Sequence, residues 1–123
     1  MVPQVIEVLK TAPKIAHLDL TNVAWSGYGL RVFADMYLAD FNPKNLTSLD
    51  LTSNKFSDLD EVYHFGQAMG MCTSLKKLIL RRMRITPKVF EALAKGLPAT
   101  LTHLNLDFNK VEMAGMASLV KQL

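Results

Sequence analysis

Four nine-residue segments of this chain share one pattern, and that pattern restricts the fold more than any other feature. They are IAHLDLTNV from Ile15, LTSLDLTSN from Leu46, LKKLILRRM from Leu75 and LTHLNLDFN from Leu101. Each carries an aliphatic residue at its first, fourth and sixth positions: Ile15/Leu18/Leu20, Leu46/Leu49/Leu51, Leu75/Leu78/Leu80 and Leu101/Leu104/Leu106. The starts lie 31, 29 and 26 residues apart. Self-similarity at such a period means stacked units, because one unit of this size cannot bury its own apolar face. Positions four and six follow the two-residue period of a strand, so both leucines of each unit turn inward while position one packs beneath. Position nine reads Val23, Asn54, Met83 and Asn109. Asn54 and Asn109 suit a turn in which a side-chain amide satisfies backbone groups of the neighbouring coil.

The rest of each unit has the spacing of a helix. Ile85, Phe90, Leu93 and Leu97 follow Met83 at the same offsets as Val111, Met116, Leu119 and Leu123 follow Asn109. The last three of each set form a helical stripe. Thr86 is the expected N-cap of the third helix, with Pro87 in its first turn, and Gly115 stands at the corresponding start of the fourth. Leu30, Phe33 and Tyr37 keep the stripe in the first unit, and Val62, Phe65 and Met69 keep it in the second after a one-residue shift. Pro43 and Pro98 stop the helices that precede the second and fourth strands. Trp25 occupies the place of Phe56, Ile85 and Val111, so it is expected in the core, with Gly27 and Gly29 shaping the turn before the helix. Val2, Val5, Ile6 and Leu9 predict a helix over residues 3–11. It lies within a cap, residues 1–14, that covers the open N-terminal end of the stack.

The pattern LxxLxLxxN resembles the leucine-rich repeat. The alternation of asparagine with an apolar residue at position nine resembles the ribonuclease-inhibitor-like subfamily, which includes ribonuclease inhibitor, NOD-like receptors, Ran GTPase-activating protein, tropomodulin and CARMIL-type actin regulators. The resemblance implies an α/β fold: a leucine-rich repeat solenoid of four strand–helix units, with a concave parallel sheet, convex helices and an N-terminal capping helix. Residues 1–123 are expected to form a single domain. Leu123 falls on the last apolar position of a helix. The C-terminal edge is therefore expected to meet further repeats of a longer solenoid or another chain, the first being preferred.

Composition narrows the function classes. No apolar run reaches the roughly 18 residues that cross a bilayer, so no membrane insertion is expected. The first residues lack a basic stretch and contain Glu7, unlike a signal peptide. Cys72 is the only cysteine, which rules out an internal disulfide and favours a reducing compartment, the cytoplasm. No motif surrounds Cys72, so it reads as a small buried hydrophobe. His17 and His103 share a repeat position with two strands between them, and no Cys/His cluster exists, so no metal site is expected. No phosphate loop, nucleophile elbow or paired carboxylates stand out. The chain reads as a non-enzyme without a cofactor.

Charge is divided along the chain. Residues 1–71 hold five Lys/Arg against eight Asp/Glu, and residues 72–123 hold nine against three. The exposed strand positions can be read as columns across the sheet. Position three is His17, Ser48, Lys77, His103; position five is Asp19, Asp50, Ile79, Asn105. Position seven is Thr21, Thr52, Arg81, Asp107; position eight is Asn22, Ser53, Arg82, Phe108. The third strand is a basic ridge, with Phe108 beside it and Asp107 in the Arg81 column. Two readings stay open. Arg81 pairs with Asp107 and, on the diagonal, with Asp50; or Arg81, Arg82, Lys77 and Phe108 form part of a patch for another protein, one with an acidic surface. Asp19, Asp50, His103 and Asp107 complete the candidate face. Nucleic acid is not the expected partner, since Asp50 and Asp107 flank the ridge and no nucleic-acid motif is present. The first expectation is a protein–protein interaction module using the concave face or an edge. The alternative is a structural subunit docked in a larger assembly. Ran GTPase-activating protein supplies an arginine after a repeat strand, so the resemblance also allows a third-ranked role for Arg81, Arg82 or Arg84 in stimulating GTP hydrolysis.

Overall fold

The inward leucines decide the strands. A computed structural model describes residues 2–12, 14–23, 25 and 28–109. It places strands β1 (His17–Asp19), β2 (Ser48–Asp50), β3 (Lys77–Ile79) and β4 (His103–Asn105) in one sheet, in that order. All three pairings are parallel. The register aligns the repeats position by position: His17, Ser48, Lys77 and His103 form one row, Leu18, Leu49, Leu78 and Leu104 the next, and Asp19, Asp50, Ile79 and Asn105 the third. Leu49, Leu51, Leu78 and Leu80 are fully buried, with Leu18 and Leu20 nearly so. Leu104, on strand β4, and Leu106, just past it, are half-buried and pack against the core.

Helices return on the other side. The N-terminal helix α1 (Val2–Lys10) buries Ile6 completely and packs on the helix of the first unit, as its spacing predicted. Helix α3 (Leu59–Gly70) buries Val62, Phe65 and Met69. Helix α4 (Pro87–Ala94) buries Phe90 and Leu93, and the Thr86 hydroxyl accepts from the Val89 N–H at its start. The first unit departs from the expected α-helix. Helix α2 (Gly29–Phe33) continues into a π-helical segment (Ala34–Phe41). The segment closes where Asn42, at φ 52°, donates its N–H to the Tyr37 carbonyl at 2.9 Å. Along this stretch Trp25, Phe33, Tyr37 and Phe41 form a continuous row of rings, with successive centroids 5.6, 5.4 and 5.5 Å apart. Trp25 is thus a half-buried part of the core, as expected. Gly29 has a different reason from the one the sequence suggested. Its backbone is not left-handed; a Cβ there would collide with the Trp25 side chain. Gly27 and the fourth helical stripe, Gly115 included, lie outside the described residues.

Two polar devices tie the units together. The Asn54 amide donates to the carbonyl of Leu51 in its own turn and of Leu20 one unit back, both at 2.9 Å. Asn109 repeats this with Leu106 at 3.0 Å and Leu80 at 2.7 Å, and its Oδ1 also accepts the Met83 and Ile85 N–H groups at 2.9 and 3.0 Å. An asparagine in every second unit therefore serves two turns, which is why position nine tolerates Met83 between them. The second device is a variant of the capping box, in which the returning carboxylate meets the residue before the N-cap. Asp58 caps α3 by accepting the Glu61 N–H at 2.9 Å. Glu61, fully buried, reaches back to the Ser57 N–H at 2.6 Å. Its other oxygen accepts the Arg31 N–H at 3.0 Å, one of the donors that the first turn of α2 leaves without an intrahelical partner.

Candidate protein-binding face

Beyond each strand the chain turns on the same backbone geometry. At position five, Asp19, Asp50 and Asn105 each accept the N–H of the residue two further on, Thr21, Thr52 and Asp107, at 2.9 Å. Asp19 and Asp50 also accept the hydroxyl of that threonine. These bonds, first from the Thr21 hydroxyl and then from its backbone, hold the Asp19 carboxyl below its ordinary pKa. Position eight follows in the left-handed region in all four units: Asn22 at φ 52°, Ser53 at 61°, Arg82 at 52° and Phe108 at 62°. Such a conformation costs an L-residue about 1–2 kcal/mol. It is held here by hydrogen bonds that extend the sheet ladder past the strands: Asn22 N–H to Thr52, Ser53 N–H to Arg81 and Arg82 N–H to Asp107, at 2.8, 2.9 and 3.2 Å.

This turn sets the arginines. The Arg82 guanidinium carbon lies 4.7 Å from the centre of the Phe108 ring, and that of Arg81 lies 5.2 Å from it. Both cations thus share one ring, which remains 65% exposed. The pairing of Arg81 with Asp107 or Asp50 does not occur. The four ion pairs among the described residues join Lys10 to Glu7, Arg31 to Asp35 and Asp60, and His64 to Asp60. The physical reason is local competition: Asp50 is already committed to Thr52, and the left-handed turns at Arg82 and Phe108 bring ring and guanidinium together. The Arg81 Nε is buried without a hydrogen-bond partner. Attraction of a guanidinium to a ring face is worth about 0.5–1 kcal/mol at exposed sites. That is enough to bias the rotamers of two long side chains.

The other candidates fall as follows. Lys77 and His103 are exposed register neighbours on β3 and β4. Asp107 is exposed beside Phe108. Asp19 lies on the opposite edge strand and is not brought to the arginine–phenylalanine cluster; Asp50 is half-buried, one strand nearer. Two cations escaped the column reading, Lys55 and Arg84. Each directly follows position nine, Asn54 and Met83, so extending the columns by one residue would have found them. Arg84 is also left-handed, at φ 56°. Cys72 is buried with its thiol pushed up to about 11 by loss of solvent, as expected for a packing residue. Among the described residues no cluster of three or more metal-binding side chains occurs, and no helix is long and apolar enough to cross a membrane.

Parallel strands in sequence order, joined by helices and stitched by asparagine amides, define an α/β solenoid. The fold is that of a leucine-rich repeat solenoid, and the family model described as Leucine Rich repeat matches residues 42–59 and 98–120. Proteins built from such repeats generally present their surfaces to other proteins. A comparison with curated proteins found no match.

Proposed function

We propose that this chain is a non-enzymatic protein-binding module of the ribonuclease-inhibitor-like type. Its contact face is centred on Arg81, Arg82 and Phe108, with Lys77, His103 and Asp107 around them. The observation that carries this reading is the double stacking of Arg81 and Arg82 on an exposed ring with no acidic partner among the described residues. Arginine and aromatic side chains are the types that dominate interface energetics, and here their ordering precedes binding. The partner offers acidic groups to this ridge. Asp19 and Asp50 extend the face at its far side, already occupied by their threonines. The alternating asparagines and the regular helices α3 and α4 support the subfamily. The single buried cysteine supports a cytoplasmic location.

The Arg81→Glu/Arg82→Glu double variant tests this. Capture of partner proteins from the lysate of the native cell should fall at least tenfold, with the melting temperature unchanged within a few degrees. Undiminished capture refutes the assignment of the face.

A further inference from the structure

The rim past the strand ends holds a second arrangement, in which three residues of the position-eight column meet others that lie beyond the columns. A cleft of about 320 Å³ is lined by Asn22, Trp25, Ser53, Asn54, Lys55, Arg82 and Arg84. Three of these seven are cations, and no acidic residue lines the cleft. None of the three cations joins an ion pair among the described residues. Three cations without a neutralising acid along one cleft give it a positive potential that favours an anion. Arg82 and Arg84 are both held there by left-handed backbone, at φ 52° and 56°. At Arg82 this is the turn common to all four units; at Arg84 it is, among the described residues, an addition of the third unit. The Arg82 guanidinium carbon lies over the Phe108 ring, and its N–H groups have no ion-pair partner among the described residues.

We infer that this cleft binds a phosphate monoester carried by a partner protein. Three cations exceed the charge of a single carboxylate and suit a dianion with three acceptor oxygens. Arg82 and Arg84 supply donor forks, Lys55 a point charge, and the Ser53 hydroxyl and Asn22 amide neutral donors. The volume lies within the range of sites that hold organic groups, roughly 300–1,000 Å³. The half-buried indole of Trp25 in the wall offers an apolar surface to the chain that bears the phosphate. The inference refines the protein-binding reading by naming the chemistry of one contact; Arg82 is shared with the Arg81 ridge, while Lys55 and Arg84 are separable from it.

The experiment is a titration of the intact chain with a peptide library centred on phosphoserine, its unphosphorylated counterpart and inorganic phosphate. The phosphopeptides should bind at least tenfold more tightly than either comparison. Arg84→Gln and Lys55→Gln should each weaken them at least tenfold, while Lys76→Gln, off the cleft, should leave them unchanged. Binding should also fall from pH 7.5 to pH 5.5, as a monoester with its second pKa near 6 loses charge and a carboxylate peptide does not. Equal binding of the unphosphorylated library overturns the inference, and so does equal binding of inorganic phosphate, which would mark an ion site without a protein ligand. Arg81→Glu and Lys77→Glu leave the cleft intact, so loss of partner capture in these variants with phosphopeptide binding retained separates the two readings.

Discussion

Glu61 offers a sharp test of how the first two repeats are joined. Its carboxylate is fully buried and accepts two backbone N–H groups that lie 26 residues apart in the chain, Ser57 at 2.6 Å and Arg31 at 3.0 Å. Glu61→Ala removes both acceptors and strands two donors. Hydrogen bonds to a charged group contribute about 1.5–3 kcal/mol each, so the gross loss is about 3–6 kcal/mol. Removing the carboxylate also removes its own cost of dehydration, which offsets part of that, leaving about 3 kcal/mol. For a chain of this size about 1 kcal/mol moves the melting temperature by about 4 °C, so the expected drop is about 12 °C. Glu61→Gln keeps the volume and one acceptor oxygen but turns an amide N–H₂ toward a donor, so it should fall between wild type and Ala. Differential scanning calorimetry measures the shifts. Hydrogen exchange at the Arg31 and Ser57 amides reports whether the two donors have lost their acceptor. A drop below about 4 °C for Glu61→Ala, with unchanged exchange at both amides, would refute the account.

Other outcomes follow from the same geometry. Leu78→Asp should unfold the protein, because a buried unpaired charge costs several kcal/mol, while the adjacent exposed Lys77→Asp should melt near wild type; equal melting of the two would break the repeat register. Asn109→Ala should lower stability by roughly 2–4 kcal/mol, since its amide serves the third and fourth turns together, and urea unfolding would read this directly. Phe108→Ala should weaken partner capture with little change in melting, because it frees both arginines on the surface; retained capture would mean that the ring does not order them. The Cys72 thiol should resist a disulfide reagent at pH 8 until the chain unfolds. Its folded pKa of about 11 lies above its usual value, so the unfolded state releases the proton first and stability should fall as pH rises from about 9 to about 11. Cys72→Ala should flatten that slope.

The strands were legible because leucines at a period of two repeat four times, and Thr86 and Pro87 were legible because helix starts have their own chemistry. The asparagine ladder was half legible. Asn54 and Asn109 could be placed, but the sequence does not show that each amide serves two turns. The π-helical segment was hidden because Phe33, Tyr37 and Phe41, four apart, read equally well as an α-helical face. The left-handed turns were hidden because Asn22, Ser53, Arg82 and Phe108 are not glycines, and only the ladder around them imposes the conformation. That concealed turn is also why the Arg81–Asp107 pair failed while the grouping of Arg81 and Arg82 with Phe108 came together. Lys55 was missed, and Arg84 was considered only as an arginine for GTP hydrolysis, because both stand just past the strand pattern that organised the columns.

The π-helical segment has a bearing on how such a chain changes length. The repeat starts are 31, 29 and 26 residues apart, yet the strands pair row for row without a bulge. Surplus residues are therefore absorbed on the helical side, and Ala34–Phe41 is one place where the winding itself loosens to take them up. A single-residue deletion within that segment can be met by tightening to ordinary α-helical winding, whereas the same deletion in a strand turns every inward leucine out. Growth and shrinkage of the repeats can thus proceed on the convex side while the display surface keeps its spacing.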